Sequence, residues 1–366
     1  LGIVLLALAV LAGCSGGTAL QPWAPGDPVV SAPNRQPPIV GVTYHPTWAE
    51  MTDTRRGQVL DQLVEAGVSW LRVDVSWKEF QPDGSSAFDD DAIAAFDTRL
   101  AEIGDRGFKI LLMFYWAPVW ATGSEAMSGR PSASAFARAT GWVVDTWGEQ
   151  LSALEIWNEP DTARFWDPQP ERTRVTDFTD MVIQASRAAK SVQPELPVIV
   201  GGTSRIDTQW WAQVLSLPDL AASVDAIAVH PYTVPSDLSP RAPDTGKPWR
   251  VRHLRSLVEL LDQANLSTMP IWITEFGWST GQTSQPADYE RAVSESQQAT
   301  YLTQALEEFA RFPQVRAAFW YTDVDHATPD PHQNGFGLMR TDGSRKPSYY
   351  AMKCAASGVC GPGAGP

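Results

Sequence analysis

Leu154-Glu155-Ile156-Trp157-Asn158-Glu159-Pro160 puts a carboxylate beside an amide and a tryptophan at what reads as the end of a short apolar strand. A second run, Ile271-Trp272-Ile273-Thr274-Glu275-Phe276-Gly277-Trp278, repeats the form: apolar residues close on a glutamate flanked by aromatics. Two carboxylates at two strand ends are the pairing that acid/base cleavage of an acetal needs.

Working outward, apolar strand-like runs recur at residues 39–44, 70–75, 109–114, 153–157, 198–201, 226–230, 271–274 and 317–321. Between them, residues 54–66, 92–106, 132–147, 175–190, 253–264 and 294–311 place apolar side chains at three- and four-residue spacing, the mark of amphipathic helices. Strand and helix in strict alternation imply parallel pairing through right-handed crossovers. Eight such units close into a (β/α)8 TIM barrel, an α/β fold that holds a chain of this length as one catalytic domain. No glycine-rich phosphate loop follows the first strand, which argues against an open nucleotide-binding sheet.

Hydrophobic residues at 43%, charged residues at 19% and 16 tryptophans exclude a disordered chain. A formal net charge of -14 argues against nucleic acid as a partner, because a phosphate backbone is gripped by clustered Lys and Arg. Residues 1–12 are almost wholly apolar, long enough for a signal-peptide core and too short to span a membrane. Leu11-Ala12-Gly13-Cys14 resembles the lipobox of bacterial lipoproteins, which implies cleavage before Cys14 and lipid on its thiol; an ordinary secretory signal is the alternative. The absence of an initial Met and a basic leader leads us to expect a start that is truncated. The division is therefore a signal at 1–13, a Pro/Gly/Ser-rich lipid-anchored tether at 14–38, the barrel at 39–353 and a tail at 354–366. In an exported tail Cys354 and Cys360 are expected to form a small disulfide loop. No metal is expected there, as two thiols without a nearby His do not complete a tetrahedral set.

In such a barrel the reactive groups stand at the C-terminal ends of the strands. Glu159 ends the fourth and Glu275 the seventh, while Glu155 shares a face with Glu159 and reads as a buried structural carboxylate. Trp157-Asn158-Glu159-Pro160 with Thr274-Glu275-Phe276-Gly277 resembles glycoside hydrolase clan A, retaining (β/α)8 glycosidases, over residues 39–352 or so. The resemblance implies Glu159 as general acid/base, Glu275 as the nucleophile of a covalent glycosyl-enzyme, and Asn158 as a contact to the sugar's 2-hydroxyl. It also implies an arginine near the nucleophile, which Arg72 matches; an ion pair inside the barrel, with Glu155, is the other reading of Arg72. His230 and Tyr232 match a histidine and a nucleophile-contacting tyrosine at strand six, and Trp320 matches the tryptophan that floors the subsite beside the scissile bond.

Further aromatics at strand ends, Tyr44, Trp48, Trp77, Tyr115, Trp116, Trp120, Trp166 and Trp278, offer stacking faces for sugar rings, and His45 is a candidate sugar contact or a structural residue. The third strand lacks the histidine of many cellulase-like members, and Pro118-Val119-Trp120 with the Glu-Ile-Trp-Asn-Glu-Pro-Asp run looks closer to family thirty-nine. The expected partner is an oligo- or polysaccharide, cleaved with retention and without a cofactor or metal. The protein is expected to be monomeric, exported and outward-facing, touching the membrane only through its lipid. A silent carbohydrate-binding lipoprotein is the rival reading, which the presence of both glutamates disfavours. A metal-dependent barrel hydrolase would need clustered His and Asp at strand ends, but only five His occur and no His-x-His pair stands on the first strand.

Overall fold

The computed structural model describes residues 38–358, so Cys14, the signal-like run, the tether as far as residue 37 and Cys360 lie outside the described residues. Eight parallel strands close in chain order: β1 (Ile39–Tyr44), β2 (Trp70–Ser76), β3 (Lys109–Tyr115), β4 (Ala153–Ile156), β5 (Val198–Thr203), β6 (Ala226–Val229), β7 (Ile271–Phe276) and β8 (Val315–Trp320). The expected (β/α)8 barrel is the fold found.

The six expected helices form as Asp53–Glu65, Asp90–Gly104, Ala133–Trp147, Glu171–Val192, Leu254–Gln263 and Glu295–Phe309. Four of the starts follow local capping chemistry. The side chains of Thr52, Asp89, Ser132 and Ser294 each accept a hydrogen bond from the backbone N–H three residues on, which satisfies a donor the helix cannot. Two helices, Thr208–Leu215 and Pro347–Ser357, complete the ring without having been expected. The first is too short to display a 3.6-residue period, although Trp210, Trp211 and Val214 bury one face of it. Cys354 sits in the last turn of the second and not in a free tail; it is disulfide-bonded, and its expected partner is outside the described residues. Among the described residues no helix is long and apolar enough to cross a membrane.

Side chains alternate along each strand, so every second residue enters the barrel. At the N-terminal end these are Trp70, Leu111, Ala153, Ile199, Ala226, Trp272, Ala317 and Phe319. The three large rings fill the lumen: Trp70 meets Trp272 edge-on at 5.8 Å, and Trp272 stacks on Phe319 at 6.1 Å. A Cβ at Gly41 would fall 2.5 Å from the Phe319 ring, so the neighbouring strand must lack a side chain there. One layer higher the same parity brings in Thr43, Arg72, Glu155 and Thr274, all buried. The barrel thus has an aromatic floor and a charged upper storey.

Phe319→Ala removes one ring of the floor beside a glycine that cannot fill the void. We expect a loss of about 3–5 kcal/mol of unfolding free energy by urea denaturation. A midpoint within error of the parent protein would contradict this packing account.

Candidate active site

The upper storey is organised around one cation. Arg72, fully buried, donates from Nε to Glu155 Oε2 at 2.6 Å, from Nη1 to Glu275 Oε1 at 2.6 Å and from Nη2 to Asn158 Oδ1 at 3.1 Å. Both readings of Arg72 are therefore realised at once: it pairs inside the barrel and it holds the seventh-strand glutamate. Glu155 takes two further hydrogen bonds, from Gly202 N at 3.0 Å and Thr274 Oγ1 at 2.9 Å, as a buried structural carboxylate should. Asn158 spends its carbonyl oxygen on Arg72, which leaves its NH2 to face the cavity.

Period two does not by itself deliver the two glutamates. Thr274 and Glu275 are consecutive, yet both reach the interior; the register of β7 against β8 shifts between Ile273 and Phe276, and this irregularity turns Glu275 inward. After β4, Trp157 (φ 72°) and Glu159 (φ 42°) take left-handed conformations that residues with side chains rarely adopt. The turn is pinned by Glu159 N donating to Gly202 O at 2.8 Å. It needs a bare backbone opposite: a Cβ on Gly201 would sit 2.2 Å from Trp157 O, and one on Gly202 would sit 2.2 Å from His230 Nε2.

His230 joins the two halves. Its Nδ1 lies 3.1 Å from Glu159 Oε1, and its Nε2 lies 3.0 Å from Thr274 Oγ1. Because the Thr274 hydroxyl donates to Glu155, it accepts from His230, which places a proton on Nε2. Nδ1 is then the ring atom that faces the Glu159 carboxyl. Tyr232 donates its hydroxyl to Glu275 Oε2 at 3.0 Å.

Electrostatics separates the groups. Burial alone would raise the Glu275 carboxyl, but the charges of His230 and Arg72, with hydrogen bonds from Arg72 and Tyr232, outweigh it and hold the group below its usual value. Burial would lower His230, yet the Glu275 charge, the hydrogen bond to Glu159 and the Glu159 charge raise it. Tyr232 is pushed well up by burial and then by Glu275, so its phenol stays a donor. Asp161, two residues beyond Glu159, is pushed up to about 6 because burial outweighs its ion pair with Arg205.

A carboxylate oxygen of Glu159, one of Glu275 and a His230 ring nitrogen all lie within 4.8 Å of one another. Among the described residues this trio is the group that could hold a metal ion, although a dication there would compete with the guanidinium already on Glu275. Above the trio opens a cavity of about 780 Å³. His45, Trp48, Asp74 and Tyr321 wall it on the β1, β2 and β8 side, and Thr162, Phe165, Ser204, Arg205 and Trp249 on the β4 to β6 side. His45 Nδ1 is 2.6 Å from Asp74 Oδ1, and the ring stacks on Trp48 at 4.2 Å.

The expected residues thus converge, with two exceptions. Trp320 is fully buried outside the barrel, where it packs against Phe276 and donates from its indole to Phe336 O, and it does not line the cavity. Ala317, Phe319 and Tyr321 carry the inward parity of β8, so Tyr321 occupies the place expected of Trp320. Trp116 is likewise displaced: β3 turns outward at its left-handed backbone (φ 48°), its ring is covered by Lys78 Nζ at 3.4 Å, and Tyr115 lines the cavity instead. Trp278 lines the cavity while nearly buried. Of the other aromatics, Trp48 and Tyr115 reach the cavity, whereas Tyr44, Trp77 and Trp166 belong to the outer core. Trp249 and Arg205 were missed by sequence reasoning, because neither lies in a periodic segment.

A family model described as Cellulase (glycosyl hydrolase family 5) matches residues 30–311. A β-glucosidase of Agrobacterium sp. (strain ATCC 21400) is 28% identical over 103 residues, which span 28% of this chain and 22% of that protein. Among solved structures, a family 39 glycoside hydrolase from Bacteroides cellulosilyticus WH2 superposes with a TM-score of 0.65 at 24% identity, covering 88% of this chain and 64% of that one. A monomeric β-xylosidase from Caulobacter crescentus CB15 gives 0.68 at 20% identity, covering 88% and 68%. An exo-β-1,4-mannosidase from Opitutaceae bacterium strain TAV5 gives 0.65 at 18%, covering 88% and 59%. At these identities the structural likeness is one of fold.

The depressed Glu275 carboxyl carries a pH signature. Its contribution to stability is fully present above the ordinary value of 4.5 and is lost as pH falls through the lower folded value. Glu275→Gln should therefore show a smaller drop in thermal midpoint below pH 4.5 than the parent protein. Identical acid slopes in calorimetry would contradict the account of Glu275.

Proposed function

The chain belongs to the cellulase family, glycosyl hydrolase family 5, and from that premise we propose that it is a retaining glycosidase cleaving O-glycosidic bonds of an oligo- or polysaccharide. The observation that carries this reading is the approach of Glu159 and Glu275 to within 4.8 Å. Retaining pairs stand roughly 5–5.5 Å apart, whereas an inverting pair leaves about 6.5–9.5 Å for a water. The nearness to family thirty-nine expected from the motif holds for the fold only; the family itself is family 5.

In this scheme Glu275, kept anionic by Arg72 and Tyr232, attacks the anomeric carbon. The bond to the leaving oxygen breaks as Glu159, in contact with the His230 ring, delivers its proton to that oxygen. Glu159, now a carboxylate, then takes a proton from water, whose oxygen attacks the anomeric carbon and frees Glu275. Asn158, its oxygen already taken by Arg72, would donate from its NH2 to the 2-hydroxyl of the bound sugar. His45 and Trp278 would contact that sugar from the wall, with Tyr321 in the role first given to Trp320.

We extend the proposal to the whole chain: a catalytic unit at residues 39–353, exported and held outward at the membrane by lipid on Cys14, acting as a monomer on glycans within reach of its anchor. The support is the apolar run that ends in Leu11-Ala12-Gly13-Cys14.

The test is stereochemical and kinetic. Proton NMR of the first-formed product should show the anomeric configuration of the substrate, and an inverted product would refute the double displacement. Glu275→Gln should lower kcat by at least about a thousandfold on every substrate. Glu159→Ala should keep activity on aryl glycosides with good leaving groups while losing roughly 100-fold or more on poor ones. Equal losses on both would remove Glu159 from the acid role.

A further inference from the structure

Protonation by Glu159 fixes where the leaving group must lie. Glu159 stands at the end of β4, and in a barrel closed in chain order β4 and β5 face β1 and β8 across the lumen. The sugar that leaves therefore rests against the β4 to β6 side, where Ser204, Arg205 and Trp249 line the cavity. That wall is built more firmly than a loop surface needs to be. The Arg205 guanidinium lies over the Trp249 ring at 5.4 Å. It is held in place by Asp207 Oδ2 at 2.6 Å and Asp161 Oδ2 at 3.0 Å. Asp161 is in turn fixed by Ser204, which donates from its backbone N and its hydroxyl at 2.8 Å each.

The segment bearing Trp249 is tied down as well. Trp249 O accepts from Val234 N at 3.3 Å and from Arg250 Nη1 at 2.7 Å, and Pro248 O accepts from Ile206 N at 3.2 Å. The indole is half-buried, and its N–H has no hydrogen-bond partner among the described residues. A rigid ring with one face covered by a saturated cation offers its other face and one free donor. Those are the groups that a pyranose ring, with an apolar C–H face and equatorial hydroxyls, can use.

We propose that Trp249, backed by Arg205, is the platform for the sugar on the leaving-group side, and that it selects glycosidic bonds between two sugars over bonds to small leaving groups. The inference rests on the retaining-glycosidase reading and deepens it. Asp161 links the platform to chemistry, since it sits two residues from Glu159 and anchors Arg205. A sugar settled on Trp249 would present its bridging oxygen to a carboxyl held on the same stretch of backbone.

The test compares substrates with and without a leaving sugar. β-D-Glucosyl and β-D-xylosyl fluoride place nothing on the platform, whereas cellotriose and xylotriose place a pyranose there. In Trp249→Ala, kcat/KM on the trisaccharide should fall roughly tenfold to a hundredfold further than on the matching fluoride, and Trp249→Phe should recover most of the difference. Parallel losses on both substrates, or no loss on the trisaccharide, would overturn the platform. Fluoride turnover by the parent protein that vanishes in Glu275→Gln upholds the glycosidase reading whatever Trp249 does. A parent protein inert toward both substrate types, and toward the matching pairs built from the other common pyranoses, would overturn that reading and the platform together.

Discussion

Three polar demands meet at the top of a barrel whose floor is packed with indole and phenyl rings, and the guanidinium of Arg72 answers all of them. Glu155 and Glu275 each take a short hydrogen bond from it in that dry space, and Asn158 is oriented by the donor on its oxygen. A lysine could not do the same, because three acceptors at separate angles call for the planar fork that only arginine has. The arrangement ties β2, β4 and β7 together by charge, over and above the strand ladder. It also bears on the proposed chemistry, since the same contact that holds the barrel's upper storey in register helps keep the Glu275 carboxyl below its usual value.

Much of this could be read in the chain before any coordinates. Strand and helix alternate with clear periods, and the two glutamates announce themselves through their neighbours. What failed was local. On β8 the choice between Trp320 and Tyr321 hung on parity, and counting from Ala317 and Phe319 would have given Tyr321. Trp116 was lost to a left-handed turn that no period reveals. Glu275 succeeded for a reason that parity alone opposes, a slipped register against β8. Trp249 was invisible because it lies in the long connection between β6 and the helix that follows, where position is decided by contacts with Ile206 and Arg205 and not by repeat. Pattern finds the scaffold, and irregularity decides which side chains face the substrate.

The two walls of the cavity differ in kind. Across from Glu159 the lining is a carboxylate–imidazole pair, Asp74 and His45, stacked on Trp48. Beside Glu159 it is an indole clamped by an arginine whose charge is already answered. On the proposed mechanism the first would read hydroxyls of the sugar bound to the enzyme, and the second would take the flat face of the sugar released. Such a division fits a family in which one barrel serves many substrates through changes in its loops, while the pair of carboxylates stays where the strands put it.

The direction of the hydrogen bonds around His230 has one more consequence. Thr274 gives its proton to Glu155 and takes one from Nε2, so that side of the ring is a dead end for proton traffic. Glu275 is met by Arg72 and by a phenol that burial keeps protonated, donors that do not release what they hold. The two glutamates thus feel each other's charge while, among the described residues, their direct hydrogen-bond partners differ: the His230 ring for Glu159, and Arg72 with Tyr232 for Glu275.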